Sequence, residues 1–145
     1  MIALDTNILV YARRAELPEH DLALRLLRDL AEGIEPWALP WPCVYEFLRV
    51  VTHPRVFDPP TELEAALEDL EAMLRSPSVV LLGEGRGHFR HLREAAAGGR
   101  VFGNLVHDSH IAALCLEHGV SELLTRDRDF ARFDGLVTRD PFADR

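Results

Sequence analysis

The stretch Ile2-Ala3-Leu4-Asp5-Thr6-Asn7-Ile8-Leu9-Val10-Tyr11-Ala12 decides the fold. Its first three residues form a short apolar run, the pattern of a strand buried in a parallel sheet. Asp5 ends the run. Thr6-Asn7 then leads into a second apolar stretch, Ile8 to Ala12, read as helix. The order strand, acid, helix sets a theme that the rest of the chain repeats.

Working outward, His20 to Glu32 places Leu22, Leu26, Leu27 and Leu30 on one helical side and stops at Gly33. Trp37-Ala38-Leu39 reads as a second strand. Pro42 opens a helix that runs to about Thr52, where His53-Pro54 ends it. Pro54 to Pro60 is a loop. Thr61 with Glu64 predicts a capping box for the next helix, whose apolar positions run from Leu63 to Leu74. Val79 to Leu82 is a third strand. His88 to Ala97 and Leu105 to His118 are helices, the second stopped by Gly119. Glu122 to Thr125 is a fourth strand, Arg126 to Phe133 a turn with a short helix, and Leu136-Val137 a fifth strand. Strands alternating with helices predict an α/β domain with a mostly parallel sheet of four to five strands.

The 145 residues fit one domain over the whole chain, 1–145, large enough to bury a core without disulfides. Hydrophobic residues make up 48% and charged residues 28%, which excludes a disordered chain. No apolar run approaches the roughly 20 residues of a membrane span. The N-terminus lacks the basic region of a secretory signal. Cys43 and Cys115 form no CxxC pair, so a reducing, cytoplasmic setting is expected. Sixteen basic residues, all arginine, face 24 acidic ones, for a net charge of −8. That balance argues against holding nucleic acid by bulk positive charge. It permits nucleic-acid chemistry if acids gather in a metal site with arginines around it.

Four acids are the candidates. Asp5 follows the first strand and Asp127 follows the fourth, and ligands of open parallel sheets bind outside the carboxyl ends of strands. Taken alone, each is as readily a turn aspartate or a helix cap. Asp108 shares a helical face with Ile111, Ala112 and Cys115, where a carboxylate is costly unless paired, capped or metal-bound. Glu46 lies on the apolar helix after Pro42, with Arg49 as an ordinary surface partner. Together the four offer hard oxygen ligands for Mg²⁺ or Mn²⁺. A divalent cation is the simplest way to keep them all ionised.

These residues sit in motifs that resemble the PIN-domain ribonucleases, specifically the VapC toxins of bacterial VapBC toxin–antitoxin pairs. The motifs are Leu4-Asp5-Thr6-Asn7, then Trp41-Pro42-Cys43-Val44-Tyr45-Glu46-Phe47-Leu48-Arg49 followed by His53-Pro54-Arg55-Val56-Phe57. Gly103-Asn104-Leu105-Val106-His107-Asp108 and Leu124-Thr125-Arg126-Asp127-Arg128-Asp129-Phe130 complete the set. Four motifs in order span nearly the whole chain. The resemblance implies a three-layer α/β/α fold and a Mg²⁺- or Mn²⁺-dependent endoribonuclease. Its substrate would be a structured RNA such as tRNA or an rRNA loop, cut by metal-activated water. A homodimer and inhibition by a VapB-type antitoxin are also implied. The metal-binding and catalytic acids would be Asp5, Glu46, Asp108 and Asp127. Thr6, Asn7 and Thr125 would orient them, and Asp129 would cap the following helix or stand behind the ligands. Arg13, Arg14, Arg49, Arg55, Arg126 and Arg128 are candidates for RNA phosphate contacts, of which only two or three are expected to touch phosphate, the others being solvated surface residues.

Two rival functions fit the same acids: a PIN-type DNA or flap nuclease, and a non-catalytic scaffold acting through protein partners. A scaffold has no physical need to hold four carboxylates together. The pairs His88/His91 and His107/His110 have HxxH spacing, but zinc wants a third or fourth ligand that neither pair supplies. No GxSxG elbow or Walker pattern is present, and Gly83-Glu84-Gly85-Arg86-Gly87 lacks a GK[ST] ending.

Overall fold

In the computed structural model, which describes residues 1–143, the opening stretch forms strand β1 (Ile2–Leu4) running straight into helix α1 (Thr6–Arg13). Helix α2 (His20–Glu32) leads to β2 (Trp37–Pro40). Helices α3 (Trp41–Val51) and α4 (Leu63–Leu74) lead to β3 (Val79–Leu82), and α5 (His88–Gly98) and α6 (Leu105–Glu117) lead to β4 (Glu122–Leu124). A 3₁₀ turn, Arg128–Arg132, precedes β5 (Thr138–Arg139).

The five strands form one sheet in the order β3-β2-β1-β4-β5, and every neighbouring pair is parallel. The chain therefore winds outward from β1 to β3, returns past it to β4, and continues to β5. Right-handed crossovers put the helices of the outward and returning connections on opposite faces, which makes three layers. The central strands carry apolar residues on both faces because both faces are covered. Ala3, Leu4, Leu39, Leu123 and Leu124 are fully buried, as are Trp37 and Phe47. They belong to a continuous apolar core that reaches Phe130 in the 3₁₀ turn. Among the described residues no helix is long and apolar enough to cross a membrane.

The expected elements recur, with two local differences. Helix α4 begins at Leu63 with no side-chain cap. Thr61, expected as that cap, is buried elsewhere: its hydroxyl accepts from Arg14 at 3.0 Å and its N–H donates to the Val51 carbonyl at 2.8 Å. A tertiary partner has displaced the local cap. The fifth strand lies at Thr138–Arg139, not Leu136-Val137. The Leu136 N–H closes a turn onto the Phe133 carbonyl (3.2 Å) through Gly135 at φ +83°, so pairing with β4 begins only beyond it.

Candidate active site

Strand β1 lies between β2 and β4, where the winding direction reverses. A crevice forms outside the carboxyl ends of strands at such a point. The register Leu4↔Leu124 brings Asp5 beside Thr125. Asp5 is the N-cap of α1: one carboxylate oxygen accepts the Thr6 N–H at 2.7 Å. The other accepts from the Thr125 hydroxyl at 2.7 Å and the Asn7 amide at 3.1 Å. Asn7 also donates to the Thr125 hydroxyl oxygen, at 3.2 Å. Thr6, Asn7 and Thr125 thus fix both oxygens of one buried carboxylate. Burial pushes the Asp5 carboxyl up to about 7, against the lowering effect of the Thr125 and Thr6 hydrogen bonds. The charges of Glu46 and Asp127 add to the rise.

Glu46 projects from α3 and accepts the Thr6 hydroxyl at 3.1 Å. Thr6 therefore joins two of the candidate acids, one through its N–H and one through its side chain. Arg49, one turn along α3, stands 3.6 Å from the other Glu46 oxygen. Past β4, Asp127 caps the 3₁₀ turn by accepting the Asp129 N–H at 2.9 Å, while its own N–H donates to Thr125 at 2.9 Å. Thr125 is thus shared between the loops that carry Asp5 and Asp127.

Asp108, in the first turn of α6, joins Asp127 and Asp129 in one cluster, to which Asp5 and Glu46 do not belong. Carboxylate oxygens of Asp108, Asp127 and Asp129 lie within 4.8 Å of one another. Burial first, then the charges of Asp127, Asp129 and Glu46, push Asp108 up to about 6, and Arg132 opposes the rise. The capping role expected of Asp129 falls to Asp127. The 3₁₀ turn puts the Asp129 carboxylate beside Asp108 instead. The donors are all hard oxygens crowded at like charge, which suits Mg²⁺ or Mn²⁺.

A cleft of about 880 Å³ opens over this edge, lined by Trp41, Tyr45, Glu46, Arg49, Asp108 and Asp129 among others. Of the six candidate arginines, Arg49 is in its wall. Arg13 is bonded to Asp69 at 3.2 Å. Arg14 is bonded to Glu16, Thr61 and the Pro59 carbonyl, and lies 4.3 Å over the Phe57 ring. Arg126 is bonded to Glu19 and Asp140. Those three take part in bracing the fold. The Arg55 and Arg128 side chains make no hydrogen bond or ion pair among the described residues. Sequence reasoning passed over Arg132, whose guanidinium lies 3.5 Å from Asp129. It also passed over the ring pair Trp41–Tyr45, 6.1 Å apart in the cleft. Their spacing of four on α3, beside Glu46, was the available signal.

A parallel α/β domain that gathers carboxylates where its sheet reverses has the donor set for a divalent cation at a strand edge. The PIN-domain pattern matches residues 2–136, and the chain belongs to the PIN-domain family. It is 37% identical over 139 residues to Ribonuclease VapC48 of Mycobacterium tuberculosis, with 96% of each chain covered. Among solved structures it is similar to VapBC2 from Rickettsia felis bound to a promoter DNA fragment. The TM-score is 0.69 at 21% identity, covering 96% of this chain and 98% of that one. It is also similar to Mycobacterium tuberculosis VapC20, a Sarcin-Ricin loop cleaving toxin. There the TM-score is 0.68 at 18% identity, covering 94% and 97%.

Proposed function

We propose that this chain is a Mg²⁺- or Mn²⁺-dependent endoribonuclease, the toxin of a VapBC-type pair, built as one PIN domain. The observation that carries the reading is the convergence of carboxylates at the sheet's reversal. Asp108, Asp127 and Asp129 lie within 4.8 Å of one another, and the field of Glu46 and Asp127 reaches both Asp5 and Asp108. Asp5, Glu46, Asp108 and Asp127, joined by Asp129, would hold the cation. When bound, it would lower the pKa of water and offset charge at the phosphorus and the leaving oxygen.

The protein's own groups prepare that chemistry. Thr125 and Asn7 hold one oxygen of Asp5, and the Thr6 N–H holds the other, so the carboxylate does not rotate away. The Thr6 hydroxyl fixes Glu46 at the same edge. Trp41 and Tyr45 offer exposed ring faces in the cleft on which unpaired bases can stack. Arg49 supplies a cation for phosphate beside them. A single-stranded position of a structured RNA, such as a tRNA or rRNA loop, fits such a cleft better than a regular duplex. The named activities of the similar ribonuclease and of the Sarcin-Ricin loop cleaving toxin support this reading.

The partner is a VapB-type antitoxin, supported by the likeness to VapBC2. Arginine from such a partner could pair bidentately with the acids and exclude the cation. A homodimer is supported by α4, which leaves Leu63, Leu67 and Leu74 exposed on one side. Cytoplasmic action suits the two buried, unpaired cysteines.

The test is cleavage of total tRNA and rRNA by wild type, Asp5→Asn and Asp108→Asn, each with Mg²⁺, Mn²⁺ or EDTA. Discrete fragments that require metal and vanish in both variants are expected. Metal-independent cleavage, or full activity in Asp108→Asn, would refute the reading.

A further inference from the structure

The two HxxH pairs are not used as pairs. His91 turns back to the Gly87 carbonyl at 3.0 Å, at the start of α5. One histidine from each pair meets across the gap between helices: the His88 and His110 rings stand edge to face with centroids 5.4 Å apart. Glu84, from the loop after β3, joins them, and one potential ligand atom from each of the three lies within 4.8 Å of the others. This supplies the third ligand that neither pair holds in sequence.

The support behind His88 is built to present a nitrogen. Its Nδ1 lies 2.8 Å from a carboxylate oxygen of Glu117, the last residue of α6. A carboxylate only accepts, so Nδ1 donates in this bond, and in the neutral imidazole Nε2 is then the nitrogen with the free lone pair. That Nε2 makes no hydrogen bond among the described residues. The second Glu117 oxygen accepts the Gly85 N–H at 3.0 Å, which leaves the carboxylate little freedom. A Cβ on Gly85 would sit 2.5 Å from that oxygen, so a larger residue there would shift the Glu117 carboxylate. A carboxylate that fixes the far nitrogen of a histidine is the usual support of a ligating imidazole. The pair His110–Glu84 at 2.7 Å accounts for two of the three residues as a surface ion pair, but not for His88 or its support.

We propose that Glu84, His88 and His110 form a second metal site, of two imidazoles and one carboxylate, for a zinc-class ion. The ligand set differs in kind from the all-oxygen cluster at Asp108: imidazole suits zinc and its neighbours, whereas carboxylates alone suit magnesium and manganese. Tetrahedral zinc places its ligand atoms about 3.3 Å apart, so the His110–Glu84 contact would open by roughly 0.6 Å. Glu84 is exposed and can move that far. Three protein ligands leave a fourth position for water or another donor. Glu84 and His110 both line the cleft, so the ion would pin the β3–α5 loop to α6 along one wall of it. The proposal does not rest on the ribonuclease reading.

The test is a Co²⁺ titration of the full chain in excess Mg²⁺, followed by Zn²⁺ competition. Wild type should take up one equivalent of Co²⁺ with the strong visible bands of a low-coordinate, nitrogen-containing site, and Zn²⁺ should abolish them. Glu84→Gln and His110→Gln, both at accessible side chains, should lose tenfold or more in Zn²⁺ affinity. His91→Gln and Asp108→Asn should keep it. Weak bands only, or Zn²⁺ affinity lost in Asp108→Asn and kept in His110→Gln, would overturn the proposal and move the ion to the carboxylate cluster.

Discussion

Replacing Asp5 by asparagine should change how the metal-free protein's stability depends on pH. The Asp5 carboxyl moves from 3.8 to about 7 on folding, with burial as the main cause. A carboxyl raised in this way binds its proton more tightly in the folded state. Its contribution is therefore fully present below the unfolded value and is lost as pH rises through the folded value. From pH 5 to about 7 the unfolded group is ionised while the folded group is still protonated. Two pH units at 1.36 kcal/mol each give a loss of about 3 kcal/mol across that window. Asparagine does not titrate, so it removes this slope. It also adds a constant penalty of about 1–3 kcal/mol, because the amide NH2 would face either the Thr6 N–H or the Thr125 and Asn7 donors. Asp108 contributes a slope of the same sign, but Asp5 is not among the causes of its shift, so the difference between the two proteins isolates Asp5. The assay is urea unfolding in EDTA at half-unit steps from pH 5 to 8. Wild type should lose about 3 kcal/mol more than Asp5→Asn over that range, or roughly 10 °C in melting temperature for a chain of this size. Excess Mg²⁺ should flatten the wild-type curve by favouring the ionised site. Parallel curves in EDTA would refute the account of Asp5 as a buried acid held at a cost.

Three further outcomes follow from the same geometry. Thr125→Val removes a donor to Asp5 and the acceptor of Asp127 N–H, so it should cost about 1–3 kcal/mol by urea unfolding, and more at pH 8 than at pH 5 because Asp5 rises further. Phe130→Ala should cost about 3–5 kcal/mol and weaken Mg²⁺ binding by calorimetry, because Phe130 anchors the turn carrying Asp127 and Asp129 to the core. Antitoxin affinity, measured by interferometry across a Mg²⁺ series, should rise as Mg²⁺ falls; an affinity independent of Mg²⁺ would exclude competition at the acids.

What the sequence made legible follows the range of the forces involved. Ile2 to Leu4 and Val79 to Leu82 are continuous apolar runs because a covered parallel sheet demands it, and that demand is local. Thr61 misleads because a helix cap is a local preference of about 1 kcal/mol, which a buried tertiary bond to Arg14 outweighs. Of the candidate acids, Asp108 could be picked out from local pattern, since a carboxylate on an apolar helix face is anomalous, while Asp5, Asp127 and Glu46 each kept an ordinary local reading. Their convergence could not be, because it depends on sheet order: Asp5 and Thr125 are 120 residues apart and meet only because β1 pairs with β4. The roles of Asp127 and Asp129 turned on the 3₁₀ turn, in which Asp127 caps and both carboxylates lie beside Asp108. The histidines carry the same lesson further. Neither HxxH pair is chemically sufficient on its own helix, because each offers two ligands where zinc takes three or four. Packing α5 against α6 selects one ring from each and adds a carboxylate from a third segment. A ligand set drawn from three elements leaves no spacing to read, so the property that best distinguishes a built site from a chance cluster is the support behind it, here Glu117, whose two oxygens hold His88 Nδ1 and the Gly85 N–H.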